Sequence, residues 1–246
     1  MRIITGFHRS GTSCIAGALF KTKAVQMGPQ EGMIGPHPSN EKGHFENLDI
    51  VNLNDAILRA NFSSWREKMR PKIDQIPANF ATIVNEIYTK YGIDFTVKDP
   101  RFCVTLGVWK SVFTAFVTKA VVVLRPPAEC VMSLNRRNGI EPEEGFSMWK
   151  WYTTDLVKNL SSEASGKDTS IPALWVNYSD FLEKPKAGLL RILSFLGHSQ
   201  INPASLEAAC AMPEARLRHE TGKEIETPAE IKNLYDEVLC LTKPKI

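Results

Sequence analysis

The chain has 246 residues, 43% of them hydrophobic and 23% charged, with a formal net charge of +3. That is enough apolar material for one sizeable core, so one domain is expected over 1–246, with 200–246 set apart as a C-terminal helical extension. The scattered basic residues exclude a massed nucleic-acid or anionic-membrane surface, and no stretch reaches the roughly 20 apolar residues of a transmembrane helix.

Arg2–Thr5 reads as a buried strand. It runs into the loop Gly6-Phe-His-Arg-Ser-Gly-Thr-Ser13 and a helix over Gly11–Lys23. A strand, a glycine-bounded loop and a helix start bring free backbone N–H groups and the positive end of a helix dipole to one spot, which makes an anion cradle. The spacing is that of the phosphate loop G-x-x-x-x-G-K-[ST], with Thr12 where the lysine belongs. Met27–Asn47, rich in Gly, Pro, His and Asn, takes no regular assignment and is long for an idle connection, which marks it as a functional loop.

Helices follow over Asp49–Ala60 and Asn79–Tyr91, a strand over Phe95–Lys98, a helix over Val104–Phe116 and a strand over Ala120–Leu124. Next come helices over Pro127–Arg137 and Glu143–Leu160. The second carries Phe146, Met148, Trp149, Trp151 and Tyr152 as sheet-covering core. Ser161–Ser170 reads as a surface loop and Ala173–Val176 as a strand. A helix over Pro185–Leu196 closes on Gly197, a C-cap glycine. The last helix, Pro228–Leu241, starts with Thr227 as N-cap and Glu230 closing a capping box. Short apolar strands separated by helix-length gaps predict an α/β fold, a P-loop-like parallel sheet of about four to five strands flanked by helices. Cys14, Cys103, Cys130, Cys210 and Cys240 are odd in number and lack C-x-x-C spacing, so they read as buried thiols in a reducing compartment.

In nucleotide hydrolases with such a loop, a second strand ends in an acid that holds Mg²⁺. Here the strongest buried strand ends in Arg125. With Arg9 in the loop, the pattern suits a highly anionic nucleotide handled without metal.

Four ordered motifs carry a family resemblance: the loop, Lys98-Asp-Pro-Arg101, Arg125-Pro-Pro-Ala-Glu-Cys-Val-Met-Ser133, and Val176-Asn-Tyr178-Ser-Asp180 with the helix ending Phe195-Leu-Gly197. Over residues 1 to about 200 the chain resembles sulfotransferases that use 3′-phosphoadenosine-5′-phosphosulfate (PAPS) and release 3′,5′-ADP, and most of all the bacterial type whose loop reads H-R-S-G-T-S.

The resemblance implies that Ser10, Gly11, Thr12 and Ser13 hold the 5′-phosphate and that Arg125 and Ser133 grip the 3′-phosphate. It also implies that Tyr178 walls the adenine, an aromatic that could equally be core. Arg9 and Lys98 are expected to stabilise charge at the leaving group and sulfonate, as sulfuryl transfer needs positioning and charge more than covalent chemistry. Asp99 is expected to orient Lys98 or Arg101, with a structural ion pair as the alternative. The proton acceptor is Glu46 ahead of His44, in the element Asn40-Glu-Lys-Gly-His44-Phe-Glu46, whose two candidates share a face if the segment is extended. His8 and His37 are further histidines without supporting motif. Arg216, Arg218 and His219 stand where the family often closes a loop over the 3′-phosphate, without its R-K-G sequence.

The expected function is transfer of a sulfonate from PAPS to a hydroxyl or amine of a small-molecule, carbohydrate or lipid acceptor. The N-terminus shows no leader or anchor, so a cytoplasmic enzyme is expected. The rivals are a nucleotide or small-molecule kinase on the same loop, disfavoured by Thr12 and Arg125, and a nucleotide-binding relative without a working base.

Overall fold

The computed structural model describes all residues except 29–31, 37–42, 68–70, 73–74, 93, 113–115, 162–169, 214–224 and 244–246. His37, Arg216, Arg218 and His219 therefore lie outside the described residues, as does most of Ser161–Ser170.

Strand β1 (Arg2–Thr5) leads through the loop into helix α1 (Thr12–Lys21). Short strands β2 (Met33–Ile34) and β3 (Glu46–Asn47) follow, then helices α2 (Leu48–Ala60) and α3 (Phe80–Tyr91). Strand β4 (Thr96–Lys98) precedes α4 (Phe102–Val112), and β5 (Lys119–Leu124) precedes α5 (Pro127–Asn138) and α6 (Pro142–Leu160). Strand β6 (Ala173–Asn177) is followed by α7 (Tyr178–Glu183), α8 (Pro185–Leu196), α9 (Pro203–Cys210) and α10 (Ala229–Cys240).

The main sheet has four strands in the order β4-β1-β5-β6, each neighbour pair parallel. All four were legible as apolar runs. Ile3, Val122 and Leu124 enter one core and Ile4, Val121 and Val123 the other, because side chains alternate across a strand. α4 and α6 cover the first face with Phe102, Trp109, Trp149 and Tyr152; α1 and α8 cover the second with Ile15, Leu19, Leu189 and Ile192. The aromatic residues of α6 are core, as their spacing indicated.

After β1, the chain goes to β4 on one side and then to β5 on the other. The crevice at the carboxyl ends of β1 and β5 is the topological switch point, where such sheets bind ligands.

Three local expectations are corrected. Thr227 does not cap the last helix: its N-cap is Pro228, with no side-chain hydrogen bond, and the Glu230 carboxylate pairs instead with Lys150 of α6. Met27–Asn47 is not wholly irregular, since Ile34 pairs antiparallel with Glu46 and Met33 with Asn47. Of the cysteines, only Cys103 and Cys130 are buried; Cys14 and Cys210 are half-buried and Cys240 is exposed, all with free thiols.

Candidate functional site

The loop after β1 is shaped by two glycines. Gly6 has φ 147°, and a Cβ there would lie 2.4 Å from the Val123 carbonyl oxygen, so no larger residue fits. Gly11 is the N-cap of α1 with φ 97°, and its Cβ would stand 2.3 Å from the Tyr178 ring. Between them Phe7 is buried in the core, and the Ser10 N–H donates to the Phe7 carbonyl at 3.1 Å. Arg9 sits at φ 65°, a left-handed conformation that an arginine adopts only when its surroundings hold it. The start of α1 has no side-chain cap.

Ser10, expected to contact phosphate, is buried with its Oγ unpartnered among the described residues; it lines a small void beneath the loop with Gly6, Trp149, Thr153 and Trp175. Thr12 is buried and Ser13 half-buried at the start of α1. The Ser13 Oγ accepts from the Lys98 ammonium at 3.0 Å.

Lys98 ends β4 with its side chain only 2% exposed, and it also donates to Glu46 Oε1 at 2.6 Å. The two residues expected to stabilise charge and to take a proton are thus partners. Burial pushes the Glu46 carboxyl up, but the Lys98 charge and hydrogen bond, with Arg101 and His44 beyond, together hold it below the usual carboxylate range.

His44 and Glu46 are not brought together by strand alternation. Phe45 between them has φ 54°, which breaks the extended path, and its ring packs at Gly17 of α1. His44 is nonetheless near enough for its charge to bear on Glu46.

Arg125 and Ser133 do not meet directly. Arg9 links them: its Nε donates to Ser133 Oγ at 2.9 Å, and its carbonyl accepts from Arg125 at 2.9 Å. The Arg125 Nε donates to Glu129 Oε2 at 2.7 Å, one helical turn along α5, and its guanidinium lies 5.6 Å from the Tyr178 ring centroid. Tyr178 is therefore packed against both the loop and Arg125. Burial, with Arg137 and Arg125 nearby, lowers the Arg9 pKa to about 10. Its guanidinium remains a cation at neutral pH.

Glu129 and Arg137 were not singled out from sequence. The signal was present as spacing: Glu129, Ser133 and Arg137 fall four residues apart on α5, so one face of that helix carries all three toward Arg9 and Arg125.

Asp99 is fully buried and bonds Arg101, through Oδ1 to its N–H at 2.9 Å, and Asn54, through Oδ2 at 2.9 Å. Burial raises its carboxyl despite the Arg101 charge. Asn54 also accepts from Thr105 at 2.8 Å and Trp109 at 2.9 Å, which locks α2 and α4 to the end of β4. His8 is buried against Trp65, and its Nε2 lies 3.2 Å from the Tyr152 hydroxyl, which donates to the Trp65 carbonyl at 2.6 Å. Burial and the cations Arg101, Arg137, Lys98 and Arg9 push the imidazole well below its ordinary value, so His8 is neutral at neutral pH.

Loop, lysine and arginine lie together at the crevice of the β4-β1-β5-β6 parallel sheet, and solved structures share this fold. A sulfotransferase domain from the Synechococcus PCC 7002 olefin synthase superposes with a TM-score of 0.58 at 16% identity, covering 97% of this chain and 94% of that one. The fold is that of the sulfotransferase domains. A second, the sulfotransferase domain from the curacin biosynthetic pathway, gives a TM-score of 0.56 at 12% identity, with 97% of each chain covered. No protein-family model and no curated protein sequence matches the chain.

Proposed function

We propose that this chain, acting as one domain, is a cytoplasmic PAPS-dependent sulfotransferase that moves a sulfonate to a hydroxyl or amine acceptor without a metal ion. The observation that carries the reading is a cluster of direct hydrogen bonds at the switch point, in which Lys98 bonds Ser13 and Glu46 while Arg9 bonds Ser133 and Arg125. The residues fit an anionic nucleotide. The α1 N-terminus lacks a side-chain cap and opens on a glycine, Arg125 and Arg9 supply charge, and the Tyr178 ring lies on the loop.

In this reading Gly11, Thr12 and Ser13 hold a 5′-phosphate by backbone N–H groups, and Arg125 with Ser133 holds a 3′-phosphate. Bound PAPS supplies an activated sulfonate whose departure throws negative charge onto a phosphate oxygen. Lys98 and Arg9 stabilise that charge, and their value rises in a site shielded from water. Glu46 is the base. Paired with Lys98 it is a weak one, but once Lys98 turns to another anion, the burial that already pushes the carboxyl up acts unopposed by that charge. His44 stands second.

The test is a thermal melt in the presence of a chelator. 3′,5′-ADP raises the melting temperature by mass action, and ATP with Mg²⁺ does so less. Greater stabilisation by ATP with Mg²⁺ overturns the reading in favour of a kinase.

A further inference from the structure

Three cations at the crevice are matched with carboxylates: Lys98 with Glu46, Arg125 with Glu129, and Arg101 with Asp99 at 3.0 Å and Asp55 at 2.6 Å. Arg137 is not. Its Nε donates to the neutral amide oxygen Oδ1 of Asn138 at 2.7 Å, and no carboxylate among the described residues bonds it. The side chain is half-buried, whereas Arg136 beside it is exposed. Both suit the negative end of α5, so the helix dipole does not explain why one of them is turned inward. Arg137 follows Ser133 by one turn, about 5.4 Å of rise, on the face where Ser133 bonds the Arg9 guanidinium. That is two turns beyond Glu129 and its hold on Arg125, at a place where the Arg137 charge bears on Arg9, His8 and Glu46.

We infer that Arg137 is a specificity-determining residue on the acceptor side, and that the acceptor is a hydroxy acid whose carboxylate its guanidinium holds while the hydroxyl faces Glu46. A half-buried cation without a counter-charge is costly, and an incoming anion removes that cost. The planar fork of donors suits a carboxylate, which it can bond through both oxygens. One unmatched charge calls for a monoanion, since a dianionic phosphate would leave excess negative charge beside Glu46. In the proposed reading the nucleotide phosphates already have their own partners, the α1 N-terminus for one and Arg125 with Ser133 for the other. The role as acceptor rests on the proposed sulfotransfer; the carboxylate site rests on Arg137 alone.

The experiment is saturation-transfer NMR on the whole chain, free and with 3′,5′-ADP, for the parent, Arg137→Gln and Arg137→Lys. The probes are lactate, 3-hydroxybutyrate and 4-hydroxybenzoate, in which hydroxyl and carboxylate are progressively farther apart, each beside its methyl ester. The expected result is that at least one acid binds the parent at least about tenfold more tightly than its ester, as befits a charge-assisted contact. Arg137→Gln should bring that acid down to the level of its ester and leave the ester unchanged, while Arg137→Lys keeps part of the preference because a point charge remains. 3′,5′-ADP affinity should stay within about threefold in Arg137→Gln, which separates a lost contact from a misfolded chain. Binding of none of the acids, equal binding of acid and ester, or a preference that survives in Arg137→Gln overturns the assignment. So does a loss of 3′,5′-ADP affinity of about tenfold in Arg137→Gln, which puts Arg137 in the nucleotide grip. Failure of 3′,5′-ADP to bind the parent while the Arg137-dependent preference persists overturns the sulfotransfer reading and leaves the carboxylate site standing.

Discussion

Glu46 and Lys98 form a pair shielded from water, and removing one partner exposes what the other costs. Glu46→Gln leaves the ammonium without a counter-charge and should cost about 3 kcal/mol in denaturant unfolding. Because the folded-state pKa of Glu46 lies below its ordinary 4.5, the unfolded chain binds more protons as pH falls. The stabilisation is therefore complete above that value and is lost as pH drops through the folded pKa, and Glu46→Gln should flatten this acid limb. His8 acts in a higher window. Its pKa is depressed from 6.5 in the fold, so stability is full above 6.5 and falls as pH drops below it, by at most about 1.4 kcal/mol per unit. Melts from pH 7.5 to 5 should show that slope, and His8→Phe should remove it. A His8→Phe variant with the parent slope would mean that another group titrates.

At the scale of elements, the register of α5 against the loop decides how the cations are held. Arg125→Ala should weaken 3′,5′-ADP binding about 10- to 100-fold by calorimetry, the loss of a charge-assisted phosphate contact. Arg9→Ala and Ser133→Ala should be non-additive in the same assay, because one hydrogen bond of 2.9 Å joins them. Strictly additive effects would place the two residues at separate sites. The junction of loop and α1 tolerates no side chain. Gly11→Ala combines a φ of 97° with a Cβ driven into the Tyr178 ring, and should lower stability by about 2–4 kcal/mol.

Across the whole molecule the two cores share one thin sheet, and the thiols report on its closure. Burial pushes Cys103 and Cys130 up to about 12, so neither is a thiolate at neutral pH. A colorimetric thiol titration of the native protein should consume Cys14, Cys210 and Cys240 and reach Cys103 and Cys130 only in denaturant. Fast modification of all five would mean that the faces of the sheet open readily. None of the described helices is long and apolar enough to cross a membrane.

The four sheet strands were legible because a strand buried on both faces must be apolar throughout, and the loop because its glycines and serines have few other uses at that spacing. Gly197 ends α8 with φ 93°, as a C-cap glycine does. Helices α7 and α9 went unread although Asn177 and Asn202 cap them, since short helices carry little periodicity. The Thr227 capping box failed for a tertiary reason: Glu230 had a stronger partner in Lys150. The sequence by itself determined which residue types gather at the carboxyl ends of β1, β4 and β5, because strand ends and helix starts are local. Tertiary structure alone decided their pairing, that Lys98 meets Glu46, that Arg9 bridges Ser133 and Arg125, and that Glu129 holds Arg125. Long charged side chains reach any of several partners, and only the packed backbone selects one.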